Sequence, residues 1–162
     1  GIGICLSVNN IISLTPLPEW SPGFEEVGEA LYSPPFLIQI LGAGLVIPAA
    51  EEMIFRGLMF APLRDRMAFW PAALIGLYHG NLLQGVYAFL LGLVMAWLYE
   101  RFQTLAAPWV FHVAANVTSI VIVNTGLGIL VEKRSAFAFY TALALFCLIR
   151  IERKTNIKEE EV

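Results

Sequence analysis

Charge is what this chain has least of. Only 14% of its 162 residues are Asp, Glu, Lys or Arg, against about a quarter in an ordinary soluble domain. Uncharged stretches run over residues 1–18, 30–50, 67–99 and 102–131. Several exceed the roughly 20 apolar residues that a bilayer-spanning helix needs. With 58% hydrophobic residues and a mean hydropathy of +0.71, the composition excludes a soluble domain and indicates an integral membrane protein. Cysteine and histidine are scarce too, with two of each. Cys5 and Cys147 lie far apart in apolar runs, which favours small buried hydrophobes over a disulfide or a metal pair. No basic patch is interleaved with aromatics, so nucleic acid is excluded as a partner. The net charge of −3 is scattered over loops and tails and says little, and no internal repeat is evident. Residues 1–14 are apolar but have no positive flank. They read as the end of a membrane helix rather than a signal peptide, in a chain whose initial Gly1 suggests a fragment or a processed product.

Proline and glycine divide what is present. Residues 15–33 hold three prolines and four glutamates and read as an exposed acidic loop with a short helix over 25–31. The pair Glu25-Glu26 there has no apolar flanks and reads as a solvated face. A helix is predicted over 35–60, with Pro34 and Pro35 suited to its first turn and Ala61-Pro62 ending it. Pro48 inside it cannot donate to the carbonyl of Gly44, so a kink is expected one turn before Glu51. Gly42 and Gly44 would let a neighbouring helix approach closely. Residues 67–99 are too long for one span and break at Gly80-Asn81, giving helices over 70–79 and 83–100. His79 then ends the first of these, with the amides of Asn81 and Gln84 at the same level. Further helices are predicted over 106–124, closed by Gly126 and Gly128, and over 135–149, with a charged tail from 150 to 162 fraying into water. The expected fold is all-α: one domain, a polytopic bundle of about five to six membrane helices enclosing a polar cavity, with its core over 34–149. Threading these helices alternately collects Arg64, Arg66, Arg101, Arg150, Arg153, Lys154 and Lys158 on one side. Only Lys133 and Arg134 fall on the other. The positive-inside rule then makes the tail cytoplasmic, in a multi-pass protein of the cell membrane.

Against this apolar background stand Glu51, Glu52, Arg56, His79 and His112, all at membrane depth. A charge at the bilayer centre costs roughly 2.5–3.5 kcal/mol on insertion scales, so such residues are usually paired and functional. Glu52 and Arg56 are four residues apart and can pair along one helix, while Glu51, about 100° around it, needs a partner elsewhere. His112 and Asn116 share a face by the same spacing. A buried carboxylate near imidazole suits general acid–base work, with imidazole and amide donors stabilising an oxyanion. The same groups are ordinary Zn²⁺ ligands. There is no His-Glu-x-x-His, no Gly-x-Ser-x-Gly and no cysteine placed as a nucleophile.

The order Glu51-Glu52-x-x-x-Arg56-Gly57, then His79-Gly80-Asn81, then His112-x-x-x-Asn116 resembles the CPBP family. These are the CAAX-processing and bacteriocin-processing intramembrane endopeptidases, also called the type II CAAX prenyl protease or abortive-infection family. The resemblance spans about residues 41–123. One departure is Ile75, where the family often has Phe four residues before its first histidine. The resemblance implies hydrolysis of a peptide bond of a membrane-anchored protein or peptide. Glu51 and His79 would activate the water, His112 and Asn116 would form the oxyanion site, and Glu52 and Arg56 would support it. No cofactor is required on this reading. A zinc-dependent version would use Glu51, His79 and His112.

Two other classes compete. In a non-catalytic immunity or scaffold protein the polar cluster would only lock helices together, since interhelical polar contacts are worth about 0.6–2 kcal/mol each. In an ion or proton carrier, Glu and His would form a relay.

Overall fold

The structure is a computed structural model that describes residues 1–63, 79–128 and 134–160. Every element among them is helical, as the composition requires of a chain that must satisfy its backbone inside lipid. The helices are α1 (Ile2–Ser13), α2 (Phe24–Tyr32), α3 (Phe36–Leu63), α4 (Leu82–Phe102), α5 (Ala106–Thr125) and α6 (Arg134–Glu160). Of these, α3, α4 and α5 are long and apolar enough to cross a membrane, while α1 is apolar but shorter. The predicted helix over 70–79 lies outside the described residues except for His79, which stands in a turn.

The core sits where α1, α4 and α5 meet. Cys5, Val8 and Ile12 of α1 pack with Leu83, Leu91, Met95 and Leu98 of α4 and with Phe111 and Ala115 of α5. Along its length α1 also packs on α6. Outward, α3 exposes Leu37, Leu41, Met53 and Leu58, the expected solution where the solvent is lipid rather than water.

Helix α3 is not a plain α-helix. Two α-helical segments, Phe36–Gln39 and Ile47–Glu52, alternate with π-helical windings over Ile40–Val46 and Met53–Phe60. The first winding corrects the expectation for Pro48. In a π register each N–H reaches five residues back, as Ile47 does to the Gly42 carbonyl. The N–H that Pro48 lacks is therefore missing opposite Ala43, not Gly44. That carbonyl is taken instead by Asn116 Nδ2 of α5 at 2.8 Å, and the neighbouring Leu45 carbonyl accepts from Trp109 Nε1 at 3.4 Å. Gly44 faces α5 as expected, since a Cβ there would come within 3.1 Å of Val117. Gly42 does not, because nothing lies within 4 Å of its missing side chain.

Two further expectations are corrected. Helix α6 does not fray at 150 but continues to Glu160. Ile151 packs on the core, Glu152 pairs with Arg101 of α4, and the Glu, Lys and Arg of the tail are good helix formers whatever their polarity. Cys147 is not buried: it is exposed on α6, while Cys5 is buried, and both are free thiols.

Candidate active site

The two glutamates sit on the short α-helical segment between the π windings, and their environments differ. Glu52 is buried at 1% side-chain exposure and Arg56 at 2%, and Arg56 Nη1 donates to Glu52 Oε1 at 2.8 Å. The other arm of the guanidinium, Nη2, donates to the Gly92 carbonyl of α4 at 3.2 Å. Arg56 thus ties α3 to α4 with a fork that a point-charge ammonium could not reproduce. Glu51 is partly open, with 21% of its side chain exposed.

His112 of α5 stands between the two carboxylates. Its Nδ1 lies 2.9 Å from Glu52 Oε1 and its Nε2 lies 3.5 Å from Glu51 Oε2. Because Glu52 Oε1 already accepts from Arg56, it serves His112 as an acceptor as well, so Nδ1 carries the proton. Glu52 is therefore more than Arg56's partner: it fixes the ring so that Nε2 points at Glu51. The sequence spacing accounted for Glu52 through Arg56 and left Glu51 to find its partner on another helix. The structure gives His112 to both.

His79 and Gly80 lead into the start of α4. Gly80 has φ of +74°, a left-handed conformation that an L side chain resists. Asn81 then caps the helix, its Oδ1 accepting from the Gln84 N–H at 2.9 Å and its Nδ2 donating to Gln84 Oε1 at 2.7 Å. A second cap comes from a distance: Ser21 Oγ accepts from the Leu83 N–H at 2.9 Å. The turn that carries His79 is thereby fixed from both sides.

Glu51, His79, His112, Asn116 and Arg56 all line one cavity of about 350 Å³. Helix α2 contributes Phe24, Val27 and Leu31 to its lining, a helical i, i+3, i+7 face, while Glu25, Glu26 and Glu29 are exposed. The acidic segment is therefore a two-sided cover over the site. Sequence reasoning missed this, and it also missed Asn9, Tyr87 and Ser119, which line the same cavity. Ser119 was within reach, since it continues the His112–Asn116 face at i+7. Among the described residues no three His, Cys, Asp or Glu side chains are gathered as a metal-ligand set.

Carboxylate, imidazole and amide groups converging on an internal cavity of a helical membrane bundle define an intramembrane site equipped for acid–base chemistry. Residues 33–118, just over half of the chain, match the family described as type II CAAX prenyl endopeptidase Rce1-like. The chain belongs to that family, which makes it a membrane-embedded protease. No curated protein and no solved structure matches it.

Proposed function

We propose that the cavity is the active site of an intramembrane endopeptidase in which Glu51 is the general base. The observation that carries this reading is the contact of Glu51 with a histidine whose far side is held by a buried carboxylate. Glu51 accepts a proton from a water molecule as the water oxygen attacks the scissile carbonyl carbon, with His79 helping to orient that water. Asn116 has one amide N–H engaged by Ala43, which leaves the other to donate to the oxyanion. His112 donates to the same oxygen from Nε2, which requires the ring to carry both protons because Nδ1–H is held by Glu52. The proton on Glu51 passes to the departing amine as the C–N bond breaks, and Glu51 is regenerated as a carboxylate. No step needs a metal ion.

Substrates on this reading are membrane-associated proteins or peptides, prenylated or not, and the chain resides in the cell membrane with the end of α6 on the cytoplasmic side. Arg101 and Glu152 pair, so the end of α4 and residues 150–153 share one side, as the distribution of Lys and Arg requires.

The test is co-expression with a membrane-anchored reporter, alongside a purified assay on a quenched fluorescent peptide carrying a farnesylated cysteine. Glu51→Gln and His79→Ala should each abolish cleavage while the protein still accumulates in membranes. Normal processing by either variant would sink the proposal. A chelator arm on the purified enzyme should leave the rate unchanged.

A further inference from the structure

Away from Glu51, the cavity carries a second polar cluster. Donors from three helices converge on one thiol. Tyr87 of α4 donates its hydroxyl to Cys5 Sγ at 3.1 Å, Asn9 Nδ2 of α1 lies 3.5 Å from the same sulfur, and Ser119 Oγ of α5 lies 3.6 Å from it. The thiol's own proton faces the Ala115 carbonyl at 3.5 Å, so toward the other three groups the sulfur is an acceptor. Sulfur is a weak one. A carbonyl oxygen entering the cavity would hold the Tyr87 and Ser119 hydroxyls better than Cys5 does. Asn9 is anchored to the Cys5 carbonyl at 3.0 Å and leaves the two hydroxyls as the groups free to turn.

A peptide cut inside a membrane must be unwound at the cut. Each backbone N–H and C=O so exposed, with no water to receive it, costs several kcal/mol unless the protein supplies a partner. The position of the cluster matches that need. Ser119 follows His112 by seven residues on one helix face, about 10 Å at 1.5 Å per residue. An extended chain advances about 3.3 Å per residue, so the cluster lies roughly three residues along a bound peptide from the oxyanion donors. Tyr87, Asn9 and Ser119 are all neutral, which fits a peptide carbonyl rather than a carboxylate.

We infer that Tyr87 and Ser119, positioned by Asn9 and Cys5, form a subsite that binds a backbone carbonyl of the substrate about three residues from the scissile bond. The inference rests on the hydrolase reading above. It is tested with the full chain in detergent or nanodiscs, using the farnesylated fluorescent peptide and a set of analogues in which one backbone C=O at a time is replaced by a weakly accepting C=S. The Tyr87→Phe/Ser119→Ala variant should raise KM about tenfold, the effect of two neutral hydrogen bonds, with kcat preserved, whereas His112→Ala should lose kcat. One thioamide position should raise KM for the unaltered enzyme and leave the double variant unaffected, because the partner is already gone. Peptide binding to a Glu51→Gln background, read by fluorescence anisotropy, should weaken by the same factor. An unchanged KM in the double variant, or a thioamide effect that persists in it, overturns the subsite while leaving the protease intact. A free-acid terminus that binds tighter than its amide only when Tyr87 is present overturns the assignment to a neutral carbonyl. Failure of the unaltered enzyme to cleave any member of the set overturns the hydrolase reading, and the subsite with it.

Discussion

Glu51 and Glu52 are neighbours in sequence and opposites in environment, and their variants should separate chemistry from stability. Glu51→Gln keeps the side-chain volume at a partly open position, so the protein should fold normally and lose about 10²–10⁴ in kcat, the usual contribution of a general base. Glu52→Gln leaves the Arg56 guanidinium buried without a counter-ion, and breaking one partner of such a pair costs about 3–5 kcal/mol. That variant should melt well below the parent in detergent. The activity that survives should show a lower kcat, because His112 has lost the carboxylate that orients it. If Glu52→Gln melts like the parent, the buried pair is not what holds α3 to its neighbours. Much of this was legible in the sequence. The i, i+4 spacing of Glu52 and Arg56 is a property of one helix and needs no knowledge of the rest. That His112 touches both carboxylates is a property of how α5 docks on α3, and nothing in residues 106–125 encodes that distance.

At the scale of the element, α3 shows why local rules went astray. Pro48 was correctly read as a missing donor, but the carbonyl it orphans depends on the register of the turn before it. An α register names Gly44, and the π register seen over Ile40–Val46 names Ala43. The shift matters because Ala43 is where Asn116 is anchored. Pro48→Ala should restore a backbone partner for Ala43, release the Asn116 amide and lower kcat, with little change in melting temperature. An unaltered kcat would show that the oxyanion donor does not depend on this proline. A second element-level prediction concerns α6. The bond from Arg101 holds the Glu152 carboxyl below its usual range. A carboxylate with a depressed folded pKa contributes stability that is present above its unfolded value and is lost as pH falls through the folded one. The contact between the ends of α4 and α6 should therefore loosen on acidification below the ordinary carboxylate range. Faster amide exchange over 148–153 at low pH would register it, and Glu152→Gln should remove the pH dependence. The same contact explains why the tail stays helical: its charges were read as a signal for fraying, although one of them is a clamp.

The whole molecule was legible as a class before it was legible as a packing. Uncharged stretches set the number and length of helices, and the positions of glycine and proline set most of their ends. Which faces meet depends on side chains too ordinary to stand out, and Cys5 is the clearest case. It was read only as a small buried hydrophobe, and it is buried, but it lies in the core formed by α1, α4 and α5 and collects donors from all three. Cys147 sits on the outer surface of α6. The two thiols therefore report on the assembled bundle. In the native protein in detergent, a small membrane-permeant maleimide should modify Cys147 and leave Cys5 unmodified, giving one label per chain by mass. Full denaturation in dodecyl sulfate should raise this to two. Cys147→Ser should bring the native count to zero, and loosening the core with Leu91→Ala should raise the Cys5 rate before any loss of helix content is seen. Rapid native labelling of Cys5 in the unaltered chain would mean that α1 does not pack where the structure places it, and the polar cluster assembled on its thiol would fall with it.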